Sequence, residues 1–279
     1  MADKTFGLAG IMGWPVHHSR SPKLHGYWLA RHGIAGSYVP LAVKPGNLAA
    51  ALKGLAALGF AGCNVTIPHK EAALRLADRV DPIARRIGAV NTVVVAADGT
   101  LDAFNNDAYG YIESLREAKP DWRADAGPAA VVGAGGSARA VVASLADRGA
   151  REIRLVNRTR ARAEALAREY GPPVVAVPWE ARDAALEGVA LLVNATSQGM
   201  AGQPPLELSL AALPRAALVS DLVYIPLETP LLAAARRRGN PTVDGLGMLL
   251  HQARPAFKAW FGILPEVTPE LRRLVEATL

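Results

Sequence analysis

The stretch "VVGAGGSARA", residues 131–140, leaves this chain few choices of fold. An apolar strand pattern runs into it, and helical spacing follows over residues 136–148. Gly133, Gly135 and Ala138 fit G-x-G-x-x-A across that junction. Gly133 permits a tight turn, Gly135 lets the backbone approach a pyrophosphate, and Ala138 is small enough for close helix–strand packing. The N-terminus of the helix attracts phosphate. A bare glycine pattern is weak, but the strand–turn–helix context makes it a dinucleotide site. The competing reading is a tight turn that binds nothing.

The next strand, "IRLVN" (153–157), selects between dinucleotides. An NAD site usually carries Asp or Glu about 20 residues on, against the ribose hydroxyls. This chain instead has Asn157, Arg158, Thr159 and Arg162. A guanidinium there can clamp a 2′-phosphate with paired donors, and Asn157 and Thr159 can add hydrogen bonds. NADP is the expected cofactor; the alternative is a solvated basic helix start.

Strands and helices alternate on both sides of this turn, which argues for parallel βαβ units. Before it, strands are expected at 6–13, 37–43, 60–67 and 89–96, with helices at 21–33, 47–59 and 70–77. Ser21 and Pro22 suit the start of the first helix, with Ser21 as its cap, and Gly33 suits its end. A polar Pro/Gly stretch, "KPDWRADAGPAA" (119–130), then interrupts the pattern. Beyond it, helix 159–170 and strands "VVAV", 190–196 and 217–224 follow, and residues 245–279 read as mostly helical.

Bulk properties narrow the function. The 279 residues, 51% hydrophobic, suffice for two domains. The net charge of +6 favours anionic partners, yet the arginines are scattered apart from a group between Arg151 and Arg168. No basic run is interleaved with aromatics, so nucleic acid is not expected. A lone Cys63 excludes an internal disulfide and a cysteine metal cluster. No paired-ligand pattern joins the six histidines, so no metal is expected; His17, His18 and His69 read as loop or core residues. No apolar run reaches the ~18 residues of a membrane span, and "MADKTFGLAGIMG" does not read as a leader. The expectation is a soluble cytoplasmic protein, monomer or homodimer.

Within the first half, "NVTIPHK" (64–70) ends an apolar strand in proline, histidine and lysine, at the kind of strand end where chemistry collects. That segment belongs to a series in fixed order: "GWPVHHSRSPKLH", "GCNVTIPHK", "GAVNT", "NNDAYG", "GAGGSARA", "NRTRAR", "NATSQGM", "DLVYIPLET" and "DGLGMLLHQA". With these motifs the chain resembles the shikimate dehydrogenases (the shikimate/quinate dehydrogenase family), nearly end to end.

The resemblance implies an NADP-dependent alcohol dehydrogenase that interconverts 3-dehydroshikimate and shikimate on the route to chorismate and aromatic amino acids. It implies an α/β fold: an N-terminal α/β substrate domain (1–107 with 247–279) and a Rossmann-type doubly wound NADP domain (108–246), with C-terminal helices returning to the first and a cleft between the two. The implied catalytic pair is Lys70 and Asp107. Implied substrate contacts are Ser19, Ser21, Asn64, Thr66, Lys70, Asn91, Asp107 and Gln252, with Tyr224 nearby. The cofactor would take Gly133, Ala134, Gly135, Gly136, Ser137 and Ala138, then Asn157, Arg158, Thr159 and Arg162. Thr196, Ser197, Leu222, Gly245 and Met248 match segments that line the nicotinamide side.

The residue types suit that chemistry. A small polyhydroxylated acid needs many uncharged donors, and a lysine beside a carboxylate can carry the hydroxyl proton. Structural roles compete: Ser21 and Asp107 can cap helices, Asn64 and Thr66 can satisfy buried neighbours from one strand face, and Gln252 can be surface. Asn105-Asn106-Asp107-Ala108 stands where the family usually has Asn-Thr-Asp-Gly, and Gly26 where asparagine is common. Alternatives are a quinate or aminoshikimate dehydrogenase of the same family, and a non-catalytic NADP-binding regulator.

Overall fold

The structure, a computed structural model, describes residues 6–279. Residues 1–5, the start of the segment weighed as a leader, lie outside the described residues. The chain divides into two compact units, one built from residues up to Asn106 with Gln252–Thr278, the other from Asp107–His251.

The first unit contains β1 (Gly7–Gly13), α1 (Ser21–Arg31), β2 (Gly36–Ala42), α2 (Leu48–Ala57), β3 (Gly62–Val65), α3 (Lys70–Leu76), β4 (Arg79–Val80), α4 (Pro82–Ile87), β5 (Thr92–Val95) and β6 (Leu101–Phe104). Its sheet has six strands in the order β2-β1-β3-β5-β6-β4. β1, β2 and β3 run parallel, as the alternation predicts, but β5 is antiparallel to both β3 and β6. The all-parallel expectation fails here because β5 and β6 form a hairpin through Asp98 and Gly99, and a tight turn forces antiparallel strands. One core face of this sheet gathers Met12, Leu48, Leu52, Leu55, Val65 and Val93.

The second unit contains α5 (Asp107–Ala118), β7 (Ala129–Val132), α6 (Gly136–Asp147), β8 (Ile153–Val156), α7 (Arg160–Tyr170), β9 (Val174–Val177), β10 (Leu191–Asn194), β11 (Leu218–Asp221), α8 (Pro230–Arg237) and β12 (Thr242–Val243). Its six strands are all parallel, ordered β12-β11-β10-β7-β8-β9. Counted from β7, that is the doubly wound order 3-2-1-4-5-6 read from the far edge, and its switch point lies between β7 and β10. β7, "AAVV", is buried along its whole length, as a central parallel strand must be.

Helix α9 (Gly245–Phe261) runs across the division, and α10 (Pro269–Glu276) ends the chain. The C-terminal segment returns to the first unit. Trp260 Nε1 donates to Val93 O at 3.0 Å, and Trp28 Nε1 to Glu266 O at 3.1 Å. Thr268 caps α10 by accepting from Leu271 N–H at 3.2 Å. No helix among the described residues is long and apolar enough to cross a membrane.

Candidate active site

In the first unit, β3 stops at Val65 because the chain turns there. Thr66 N–H reaches Met12 O, and His69 N–H closes on Thr66 O, both at 2.9 Å. Thr66 thus lies directly past the end of β3 and begins the turn. Lys70 opens α3, half-buried, and its carbonyl accepts Val90 N–H at 3.0 Å. His69 is buried and bonded to Val43 O at 2.7 Å, which makes it a structural residue.

Ser21 departs from its expected role as a cap. The position before α1 is Arg20, without a side-chain cap bond, and Ser21 is the first helical residue. Its own N–H reaches Ser19 Oγ at 3.3 Å, so the Ser21 hydroxyl is not needed for capping. Ser21 is buried, and Ser19 is half-buried.

Asn64, Asn91 and Gln252 come together in one buried hydrogen-bonded set. Asn64 Nδ2 donates to Asn91 O at 3.0 Å and to Thr92 Oγ1 at 3.1 Å. Thr92 Oγ1 donates to Asn91 Oδ1 at 2.9 Å, which also accepts Asn106 N–H at 2.9 Å. Asn91 Nδ2 then donates to Gln252 Oε1 at 3.3 Å. Gln252 is 9% exposed, a buried residue of α9 and not the surface residue that its competing reading allows. Tyr38, Thr92 and Asn106 belong to this set and were not singled out from the sequence. Thr92, directly after Asn91 in "GAVNT", carried a local signal; Tyr38 carried none.

In the second unit, the glycine turn sits at the carboxyl end of β7, beside the switch point where doubly wound sheets take ligands. Gly133 has φ +120°, and a Cβ there would lie 3.0 Å from Ala195 O. Gly135 precedes the first turn of α6 with open space before it, and Ala138 is fully buried against the sheet. A pyrophosphate fits that arrangement: exposed backbone, a helix N-terminus and no side chain in the way. Ala134, Gly136 and Ser137 complete the turn, partly exposed.

Past β8, Asn157 Nδ2 donates to Thr159 O at 2.9 Å, which shapes the loop that carries Arg158. Arg158, Thr159 and Arg162 are exposed. Neighbouring arginines are engaged, Arg154 with Glu152 and two carbonyls, Arg160 with Glu164 at 2.6 Å. No carboxylate pairs with Arg158 or Arg162 among the described residues.

The nicotinamide-side candidates rest on a buried carboxylate. Asp221, fully buried at the end of β11, accepts from Asn194 Nδ2 and Val223 N–H, both at 3.0 Å, and from Thr229 Oγ1 at 2.7 Å. Burial raises its pKa, against the lowering pull of those hydrogen bonds. Asn194 Oδ1 in turn accepts from Thr196 Oγ1 at 2.7 Å and fixes that loop. Gly245 packs onto the same segment: a Cβ there would collide with Leu222 O. Met248 is buried in a core against which the partly buried Leu222 packs, Tyr224 is half-buried and Ser197 exposed. Asp107 is buried in the first turn of α5, in the second unit. Among the described residues no group of His, Cys, Asp and Glu could hold a metal.

A doubly wound sheet with this glycine turn, joined to an α/β unit with an amide-lined interior and a lysine at a strand end, defines a two-unit nucleotide-dependent oxidoreductase. Two family descriptions match the sequence, the shikimate dehydrogenase substrate binding domain over residues 11–93 and shikimate/quinate 5-dehydrogenase over residues 117–201. The NADP(+) shikimate dehydrogenase of Paramagnetospirillum magneticum is 61% identical over 96% of this chain and 97% of its own. Shikimate 5-dehydrogenase of Thermus thermophilus, solved with NADP(H) and shikimate, superposes with TM-score 0.88 at 39% identity, over 98% of this chain and 100% of that one. Quinate dehydrogenase of Corynebacterium glutamicum, solved with NAD, gives 0.90 at 33% identity, over 98% and 99%. The chain belongs to the shikimate dehydrogenase family.

Proposed function

We propose that the chain catalyses the reversible NADP-linked reduction of 3-dehydroshikimate to shikimate. The observation that carries this reading is the buried set of uncharged donors and acceptors, Asn64, Asn91 and Gln252, beside Ser19 and Ser21 in the same unit. A substrate with one carboxylate and several hydroxyls is recognised by many neutral hydrogen bonds and few charges, because each unpaired polar group left in such a pocket is costly. The first unit is the substrate domain in this reading, and the second holds the cofactor.

When bound, NADPH would supply the hydride for the carbonyl carbon, and the new hydroxyl needs one proton. Lys70, in the first unit, carries that proton to the oxygen and takes it back in the reverse direction, and Asp107, in the second, is the other catalytic residue of this reading. Thr66, Asn64, Asn91 and Gln252 hold the substrate hydroxyls, and Ser19 and Ser21 take the carboxylate; Tyr224, in the second unit, is a further substrate contact of this reading. The turn Gly133–Ala138 receives the pyrophosphate. Asn157, Arg158, Thr159 and Arg162 hold the 2′-phosphate, and Thr196, Ser197, Leu222, Gly245 and Met248 flank the nicotinamide. A cytoplasmic enzyme, monomer or homodimer, is part of the same reading.

The likeness to quinate dehydrogenase favours a second reading, quinate oxidation with NAD; the unpaired Arg158 and Arg162 weigh for NADP. Absorbance assays of the purified protein with shikimate or quinate, each with NADP or NAD, separate the two. Fastest NADPH formation with shikimate is expected. A preference for quinate and NAD would establish the second reading, and no turnover in any pairing would remove both.

A further inference from the structure

The buried amides of the first unit do not stand alone. Tyr38, on β2 and 6% exposed, donates from its hydroxyl to Asn64 Oδ1 at 2.6 Å. On its other side the phenol has the Ser21 hydroxyl as a polar neighbour. We propose that Tyr38 is a positioning residue for the substrate pocket: its hydroxyl, held between Ser21 and Asn64, sets the direction of a buried relay through Asn64, Thr92 and Asn91 to Gln252.

The direction follows from the donors. A backbone carbonyl, Asn91 O, accepts from Asn64 Nδ2, so the amide oxygen of Asn64 must face Tyr38. Only a donor satisfies it there, and a phenol is one. Burial, followed by the nearby Cys63 thiol, raises the Tyr38 pKa well above its usual value, so the hydroxyl keeps its proton. At the other end, the backbone N–H of Asn106 fixes Asn91 Oδ1 as an acceptor, which turns Asn91 Nδ2 toward Gln252. Thr92 Oγ1 closes the middle, accepting from Asn64 Nδ2 and from Asn106 Nδ2 at 3.0 Å while donating to Asn91 Oδ1. A relay satisfied at every link has one low-energy arrangement, and loss of its first donor disturbs the rest.

The ring itself is fixed by packing. His25 stacks on Tyr38 with centroids 4.0 Å apart and planes 7° from parallel, and Trp260 lies tilted at 6.0 Å. The imidazole is fully buried and its pKa falls to about 3, mainly by desolvation, so no charge competes for the phenol. Tyr38 thus acts through Asn64, whose amide it orients.

The inference rests on the functional reading above, and Tyr38→Phe tests it. The ring and its stack remain while the donor is lost. The KM for shikimate should rise about tenfold, the effect of leaving one buried acceptor unpaired, with the KM for NADP unchanged. By NMR, the buried Asn64 side-chain amide protons should exchange slowly with solvent in the wild type and rapidly in Y38F. Thr92→Val should reproduce the kinetic effect and Thr92→Ser should abolish it, because serine keeps the hydroxyl; this pair decides the matter if Y38F does not fold. The double variant Y38F/T92V should be no worse than its weaker parent, since both cut one relay. An unchanged shikimate KM in Y38F, equal losses for T92V and T92S, or additive losses would overturn the inference. A wild type inert toward shikimate defeats the functional reading instead, and the NMR exchange result then stands or falls alone.

Discussion

Replacing the fully buried Asp221 by alanine removes one carboxylate and leaves two donors without an acceptor. Asn194 Nδ2 keeps Gln198 O at 3.0 Å, so the loss falls on the Val223 N–H and the Thr229 hydroxyl. Two buried donors without acceptors cost about 2–6 kcal/mol. Relief of a carboxylate held against its hydration offsets part of that, and the net loss should be about 3 kcal/mol. At about 2–4 °C per kcal/mol, Tm falls by about 6–12 °C. Asp221→Asn keeps the shape and the two amide-side hydrogen bonds, so its loss should be about 1 kcal/mol or less. Urea unfolding as a function of pH then separates charge from shape. The folded pKa of Asp221 is raised, so the stability tied to its protonated form is present at low pH and lost as pH rises through that folded pKa. The wild type should therefore gain on D221N as pH is lowered from neutral. An alanine variant as stable as the wild type, or a wild-type–D221N difference that runs the other way with pH, would refute the reasoning.

Lys70→Ala should fold normally and lower kcat by about 100-fold or more, with a much smaller change in KM; near-normal turnover would take Lys70 out of proton transfer. Arg158→Ala should weaken NADP by about 10–100-fold, the range for lost charged hydrogen bonds, and leave NAD unaffected; equal losses for both would sink the phosphate clamp. Gly133→Ala must adopt φ +120° with its Cβ 3.0 Å from Ala195 O. We expect it to lose about 1–3 kcal/mol of stability and to raise the KM for NADP, and unchanged values would show that the turn tolerates a side chain.

The second unit was the more legible of the two. Its central strands are buried and parallel, so β7, β8, β10 and β11 announced themselves locally, while the two-residue edge strand β12 did not. In the first unit, α4 went unread although Asp81 caps it through Ile83 N–H at 2.8 Å and Pro82 and Gly88 bracket it. It is six residues long, too short for a periodic pattern to register. The reversal at β5 had a cue in Asp98-Gly99, the dipeptide of tight hairpins, and parallel alternation elsewhere obscured it. Site residues next to a motif were legible, while Tyr38, 26 residues from Asn64, was not. Its role is set by which strands pair, and one sequence does not display that. Asn194 and Asp221 had a weaker signal, as polar residues that end wholly buried strands.

The division of the chain has a consequence for synthesis. His25, Trp28 and Tyr38 emerge early from a ribosome, yet the rings that cover them, Phe257 and Trp260, follow the whole of the second unit. The second unit can finish folding while the first still waits, its aromatic surface open, for the last stretch to arrive. During that interval the nascent chain is most exposed to misassociation, and a chain cut short after His251 never leaves it.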